Sequence, residues 1–202
     1  EIGYSDGRQS WFDACGAECR NTAENVTLFD HSCFVKYQVE GRDALAVLNR
    51  VCANQIDVPV GRVVYTQWLN AQGGIEADVT VTRLSETAFL VVTLAVSQRR
   101  DLAWLKRQIP DGAHAFASDV TSGLPMLALM GPKARALLRK ISPADFSDAA
   151  FPFGTSQEID LGYARVRASR LTFVGEQGYE IYMPAEFATH VFDRIVEAGA
   201  DL

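Results

Sequence analysis

The sequence has little of what would mark a secreted, membrane-spanning or nucleic-acid-binding chain. Four cysteines, Cys15, Cys19, Cys33 and Cys52, are too few among 202 residues for a disulfide scaffold, which points to a reducing compartment. Cys15 and Cys19 stand as C-x3-C, with His31 a conceivable third ligand. The second paired knuckle of a structural zinc site is missing, so no metal is expected. The longest apolar stretches, such as "FLVVTLAV", fall far short of the roughly 20 residues that cross a bilayer. No basic region followed by an apolar core opens the chain. Positive charge is also scarce: 19 Lys and Arg against 25 Asp and Glu leave a net charge of -6. That balance argues against a dedicated nucleic-acid or anionic-membrane partner, since both require a basic face. No Gly-x-Gly-x-x-Gly joins a strand to a helix, and neither Gly-x4-Gly-Lys nor Gly-x-Ser-x-Gly occurs. Dinucleotide, nucleoside triphosphate and serine-hydrolase chemistry therefore lack their motifs. The histidines, His31, His114 and His190, are scattered and read as surface or capping residues.

What is present is 48% hydrophobic and 22% charged residues, enough for one large domain or two small interleaved ones with a core. No internal repeat or long linker is visible. The first residue is Glu rather than Met, so the chain is expected to be an excised piece of a soluble protein of the cytoplasm, or of the mitochondrial matrix in a eukaryote.

Residues 1–25 read as an arm with a short helix around Ala14 to Glu24. "VTLFDHSCFVKYQVEG" alternates as a strand ended by Gly41. "RDALAVLNRVCAN" places Ala44, Leu45, Leu48, Val51 and Cys52 at helical spacing, a helix of three to four turns. "RVVYTQWL", "NAQGGIEADVTV" and "TAFLVVTLA" read as an antiparallel meander. A helix capped by Ser97 follows, with Leu102, Leu105 and Ile109 inward, stopped by Pro110 to Gly112. "MLALM" is a strand, Gly131-Pro132 opens the helix "KARALLRKI", and "YARVRAS" and "GYEIYMP" are strands. The last helix, "EFATHVFDRIVEAG", carries Phe187, Val191, Phe192, Ile195 and Val196 on one face and stops at Gly199. Meanders mixed with single helices indicate an α+β fold with helices packed on antiparallel sheet.

Two stretches carry candidate chemistry. In Ile75 to Thr82, alternation sends Ile75, Ala77, Val79 and Val81 to the core and Glu76, Asp78, Thr80 and Thr82 to the other face. A solvated face would show the same pattern, but Asp is depleted from strands, and the Gly73-Gly74 turn lets a ligand approach closely. In "SRLTFVGEQGYEIYMP", Gly175 and Gly178 bracket a turn, and Glu180 follows among Tyr179, Ile181 and Tyr182. A carboxylate among aromatics suits a heterocycle with adjacent N–H donors.

Taken together, "FDHSCFVKYQVEGRDALAVLNRVCAN", "YTQWLNAQGGIEADVTVTRL", "LALMGPKARALLRKI" and "RLTFVGEQGYEIY" resemble the folate-binding region of the glycine-cleavage T-protein (aminomethyltransferase) family. The Glu-Ala-Asp-Val-Thr-Val wording and the "GRQSWF" arm are most similar to the folate domain fused behind a flavin dehydrogenase, as in dimethylglycine and sarcosine dehydrogenases. The resemblance covers about Val26 to the end. It implies a folate-binding domain over 26–202 of two interleaved subdomains, one ferredoxin-like and one a second sheet. The family's further Arg-bearing helix and C-terminal β-barrel lie outside these residues.

The resemblance also implies a tetrahydrofolate site, with Asp78 as the catalytic acid/base and Glu180 as the pterin ligand. Tyr65, Trp68, Phe173 and Tyr179 become candidates to sandwich the rings, each equally readable as core, and Thr80 lies beside Asp78. Where the family reads Tyr-Thr-Gly-Glu and often two adjacent Asp, this chain has Phe173-Val174-Gly175-Glu176 and Ala77-Asp78. The implied reaction is transfer of a methylene unit from a methylated amine or aminomethyl carrier to give 5,10-methylene-tetrahydrofolate, with FAD in an upstream domain or subunit. A non-catalytic folate-binding module and a folate-dependent demethylase are the alternatives.

Overall fold

The computed structural model describes residues 3–4 and 6–202. Two five-stranded sheets, antiparallel throughout, organise the chain. The first holds β2 (Val35–Glu40), β3 (Val63–Leu69), β4 (Ile75–Arg83), β5 (Ala88–Thr93) and β6 (Phe116–Asp119), in the spatial order β3-β4-β5-β2-β6. The second holds β1 (Thr27–Asp30), β7 (Met126–Met130), β8 (Ser156–Leu161), β9 (Ala164–Ser169) and β10 (Gly178–Tyr182), in the order β1-β7-β10-β9-β8. Helices α2 (Ala44–Val51) and α3 (Gln98–Gln108) cover the outer face of the first sheet. Helices α4 (Ala134–Ile141) and α5 (Ala188–Gly199) cover that of the second. The remaining helix, α1 (Phe12–Glu24), precedes β1.

Alternation along each strand explains the layering. On β5, Phe89 and Val91 join Val47, Leu48 and Leu105 in one helix-backed core, while Leu90 and Val92 point the other way. On β10, Tyr179 and Ile181 join Leu137, Leu138 and Val191 in the second core. Leu90 and Val92 meet Met126 and Tyr182 in a third, smaller cluster, so the inner faces of the two sheets pack on each other. The result is an α+β architecture layered helix, sheet, sheet, helix.

The two sheets are copies of one plan, a repeat that the amino-acid letters conceal. Gly41 after β2 corresponds to Gly131 after β7, α2 to α4, and Ala88 of β5 to Gly178 of β10, at a constant spacing along the chain. Both glycines have positive φ, 126° and 134°. A Cβ on Gly41 would strike the His114 carbonyl, and one on Gly131 the Asn25 carbonyl, each just before the edge strand of its sheet. The difference lies in that edge strand. In the first sheet β6 follows α3, whereas in the second its place is taken by β1, from the start of the chain.

Several sequence expectations need correcting. Residues Val26 to Gly41 form two strands in different sheets, broken at His31-Ser32-Cys33, because the chain passes there from one copy to the other. Helix α2 is eight residues, about two turns. On α5, Val191 and Ile195 are buried but Phe192 and Val196 are exposed, and Ile75 is exposed at the start of β4. Ser97 stands at the start of α3 without a side-chain cap bond. Strands β6 and β8 carry too little apolar alternation to be seen in the sequence.

Candidate functional site

Between the inner faces of the sheets lies a cleft of about 430 Å³, within the roughly 300–1,000 Å³ of small-molecule sites. From the first sheet, β3 supplies Tyr65 and β4 supplies Asp78 and Thr80; from the second, β10 supplies Glu180, and the segment after β9 supplies Phe173. Five of the seven candidate residues thus meet in one cleft, although they come from both halves of the chain.

Trp68 and Tyr179 do not. Trp68 is fully buried on the helix side of β3, stacked on Trp104 at 5.5 Å. Tyr179 is fully buried on the helix side of β10, edge-on to Phe146 and Phe151 at 5.6 Å. The period of two in a strand is the reason. Trp68 has opposite parity to Tyr65, and Tyr179 opposite parity to Glu180, so neither can share a face with the residue it was expected to assist.

The acids differ in setting. Asp78 stands exposed on the cleft wall. The Tyr65 hydroxyl donates to its Oδ2 at 2.8 Å and Gln67 Nε2 to its Oδ1 at 3.2 Å. Register explains both bonds: Gln67 lies directly opposite Asp78 and Tyr65 opposite Thr80, on the same face. The bond to Asp78 raises the pKa of the Tyr65 phenol above its ordinary value. Glu180 is instead the buried acid, 7% exposed, with Tyr182 Oη donating to its Oε2 at 2.5 Å. Burial pushes the Glu180 carboxyl up and the Tyr182 bond pulls it partly back; burial likewise pushes the Tyr182 phenol up.

The rim is aromatic and largely open: Tyr65 is 59% and Phe173 64% exposed. Phe173 leans edge-on against His31 and Phe34, at 5.8 and 6.0 Å, so its ring is held at one side only. Arg62, Phe34, Phe153 and Thr93 also line the cleft and were not foreseen. Arg62 donates to the Phe153 carbonyl at 3.0 Å, where the edge of the first sheet meets the loop before β8. No local pattern announces that contact; only the docking of the two copies creates it. Among the described residues no group of three or more His, Cys, Asp or Glu is placed to hold a metal, and no helix is long and apolar enough to cross a membrane.

By its fold and its site this is a two-sheet α+β protein with an inter-sheet cleft, one open acid and one buried acid. The model of the GCVT N-terminal domain matches residues 2–202, and the chain belongs to that family. It is 46% identical over 201 residues to 4-methylaminobutanoate oxidase (formaldehyde-forming) of Paenarthrobacter nicotinovorans, covering 98% of this chain and 24% of that protein. It is 33% identical to the mitochondrial pyruvate dehydrogenase phosphatase regulatory subunit of Mus musculus, over 95% of this chain and 22% of that protein. It is 30% identical to mitochondrial dimethylglycine dehydrogenase of Homo sapiens, over 96% of this chain and 22% of that protein. The chain therefore spans about a quarter of the length of these relatives. Among solved structures, glycine cleavage system aminomethyltransferase T of Bartonella henselae superposes with a TM-score of 0.79 at 25% identity, over 97% of this chain and 53% of that one. The α+β fold and the T-protein resemblance read from the sequence both hold.

Proposed function

We propose that this domain binds tetrahydrofolate in the inter-sheet cleft and carries out one-carbon transfer to it. The observation that carries the reading is the meeting of Asp78 and Glu180, from different sheets, on one cleft with Tyr65 and Phe173 at its rim. The residues fit the group: a buried carboxylate with an oxygen beyond its Tyr182 bond suits the adjacent N–H donors of a pterin, and the open rings of Tyr65 and Phe173 suit its flat faces.

Bound there, tetrahydrofolate would supply the two nitrogens that take up the carbon as its bond to the donor amine breaks and the amine leaves, giving 5,10-methylene-tetrahydrofolate. Glu180 fixes the ring in the cleft. Asp78, held from both sides by Tyr65 and Gln67 and open to the cleft, accepts the proton released from the folate amine as the new C–N bond forms. Holding the two reactants in line contributes several kcal/mol by orientation alone. The names of the oxidase and dehydrogenase relatives point to the N-methyl carbon of an amino acid as the donor, and the resemblance read from the sequence puts the flavin that would oxidise it in an upstream domain or subunit.

Asp78→Asn tests the role of the acid in the full-length protein. The transfer rate, followed as methylene-tetrahydrofolate formed, falls about 10²–10⁴-fold while tetrahydrofolate still binds. An unchanged rate removes Asp78 from the mechanism. A second reading, a folate-binding module without transfer activity, is favoured by the likeness to a regulatory subunit. Binding without turnover in the wild-type protein would select it.

A further inference from the structure

Glu180 and Tyr182 correspond, through the repeat, to Leu90 and Val92 of β5, because β10 pairs with β7 in the register in which β5 pairs with β2. One copy therefore places two apolar side chains where the other places an acid and a phenol. All four positions face the junction of the sheets. The Tyr182 ring packs with Leu90, Val92 and Met126 and is almost wholly out of water.

Beyond Tyr182 lies a second cleft, of about 320 Å³, lined by Glu158, Arg165, Arg167 and Tyr182. Register makes it the counterpart of the first: Glu158 pairs with Arg167 as Tyr65 pairs with Thr80, and Arg167 pairs with Tyr182 as Thr80 pairs with Val92. In this second cleft the arginines are already engaged, Arg167 with Glu158 at 2.8 Å and Arg165 with Asp160 at 3.0 Å. Tyr182 thus stands in the partition, its ring toward one cleft and its hydroxyl on the acid of the other.

We propose that Tyr182 is the positioning residue of the folate cleft: its hydroxyl fixes Glu180 by Oε2, leaving Oε1 to receive an N–H of the pterin. The inference rests on the folate reading. A carboxyl taken out of water without a donor keeps its proton and would then present an O–H to a ligand that itself offers N–H groups. The Tyr182 donor stabilises the anion, so the cleft meets the ligand as an acceptor. Among the described residues no other group donates to Glu180, and Lys36, the inner-facing cation of β2, is committed to the Ser32 carbonyl. Along the sheet Glu180 is flanked by Ala128 and Ser169, and across the cleft the ionisable groups are Asp78, Tyr65 and Arg62. Of these, Asp78 would oppose ionisation, the Tyr65 hydroxyl is committed to Asp78, and Arg62 is tied to the Phe153 carbonyl.

Tyr182→Phe keeps the ring that joins the sheets and removes the donor alone. In the full-length protein, tetrahydrofolate affinity at neutral pH falls about tenfold. Because loss of the donor raises the Glu180 pKa and binding needs the anion, the acid limb of the binding profile moves to higher pH. Infrared titration of the Glu180 carboxylic-acid band, assigned by its loss in Glu180→Gln, moves upward in the same variant without any ligand. An unchanged band, or an affinity loss equal at every pH, overturns the role of Tyr182. If the wild-type protein binds no tetrahydrofolate at any pH, the folate reading is overturned, and the infrared titration still decides whether Tyr182 governs Glu180.

Discussion

Replacing Glu180 by Gln should stabilise the protein and disable its cleft at the same time. Glu180 is buried with a single neutral donor on Oε2, and burial raises its pKa above the ordinary carboxylate value. The folded state therefore holds this proton more tightly than the unfolded chain. Stability is greatest below the unfolded pKa and declines as pH rises through the folded one, each unit of displacement costing about 1.4 kcal/mol. Gln keeps the length and still accepts from Tyr182, but has no proton to lose. Denaturant unfolding at pH 8 should show Glu180→Gln more stable than wild type by about 1 kcal/mol or more, and at pH 4 the difference should shrink. Binding moves the other way. A hydrogen bond to a charged group is worth about 1.5–3 kcal/mol, so the dissociation constant for tetrahydrofolate should rise roughly 10- to 150-fold. A variant less stable than wild type at pH 8 would refute the reasoning, because it would mean that the anion is fully compensated in the free protein.

Tyr65 and Trp68, three residues apart on β3, should separate function from packing. Trp68→Ala costs about 3–5 kcal/mol of unfolding free energy, read by denaturant titration, whereas Tyr65→Phe leaves stability nearly unchanged and slows transfer by loosening Asp78. Lys36 is fully buried, its Nζ donating to the Ser32 carbonyl at 2.8 Å, and burial lowers its pKa to about 8. The unfolded chain keeps that proton to about 10.4, so stability relative to Lys36→Met should rise between pH 8 and pH 10; a flat difference across that window would contradict it.

The elements with strong periodicity were legible in the sequence. The meander β3-β4-β5 and helix α3 follow directly from alternation and from stop residues, and the face of β4 that carries Asp78 was read correctly. Three features were not legible. Lys36 sits on an inner-facing position that its charge disguises, and only the second sheet laid over it removes the water. Trp68 and Tyr179 were candidates because they are aromatic, although counting in twos from Tyr65 and Glu180 would have turned both toward the helices. Arg62 and Phe153 reach the cleft only because two copies of one plan dock together, and no window of sequence holds that docking. The repeat was hidden for a related reason: backbone geometry at Gly41 and Gly131 preserves it, while facing residues such as Leu90 and Glu180 have diverged in chemistry.

The exchange of β1 into the later sheet bears on how the molecule is made. As the polypeptide leaves the ribosome, β2 to β6 can close upon themselves, yet the strand translated ahead of them must wait for β7 before it finds a neighbour. Its seating closes the longest loop among the strand pairings of the described residues, at a matching entropic cost. Thr27–Asp30 works as a clasp between the halves, and the cleft lying across both gains its shape only when they are joined.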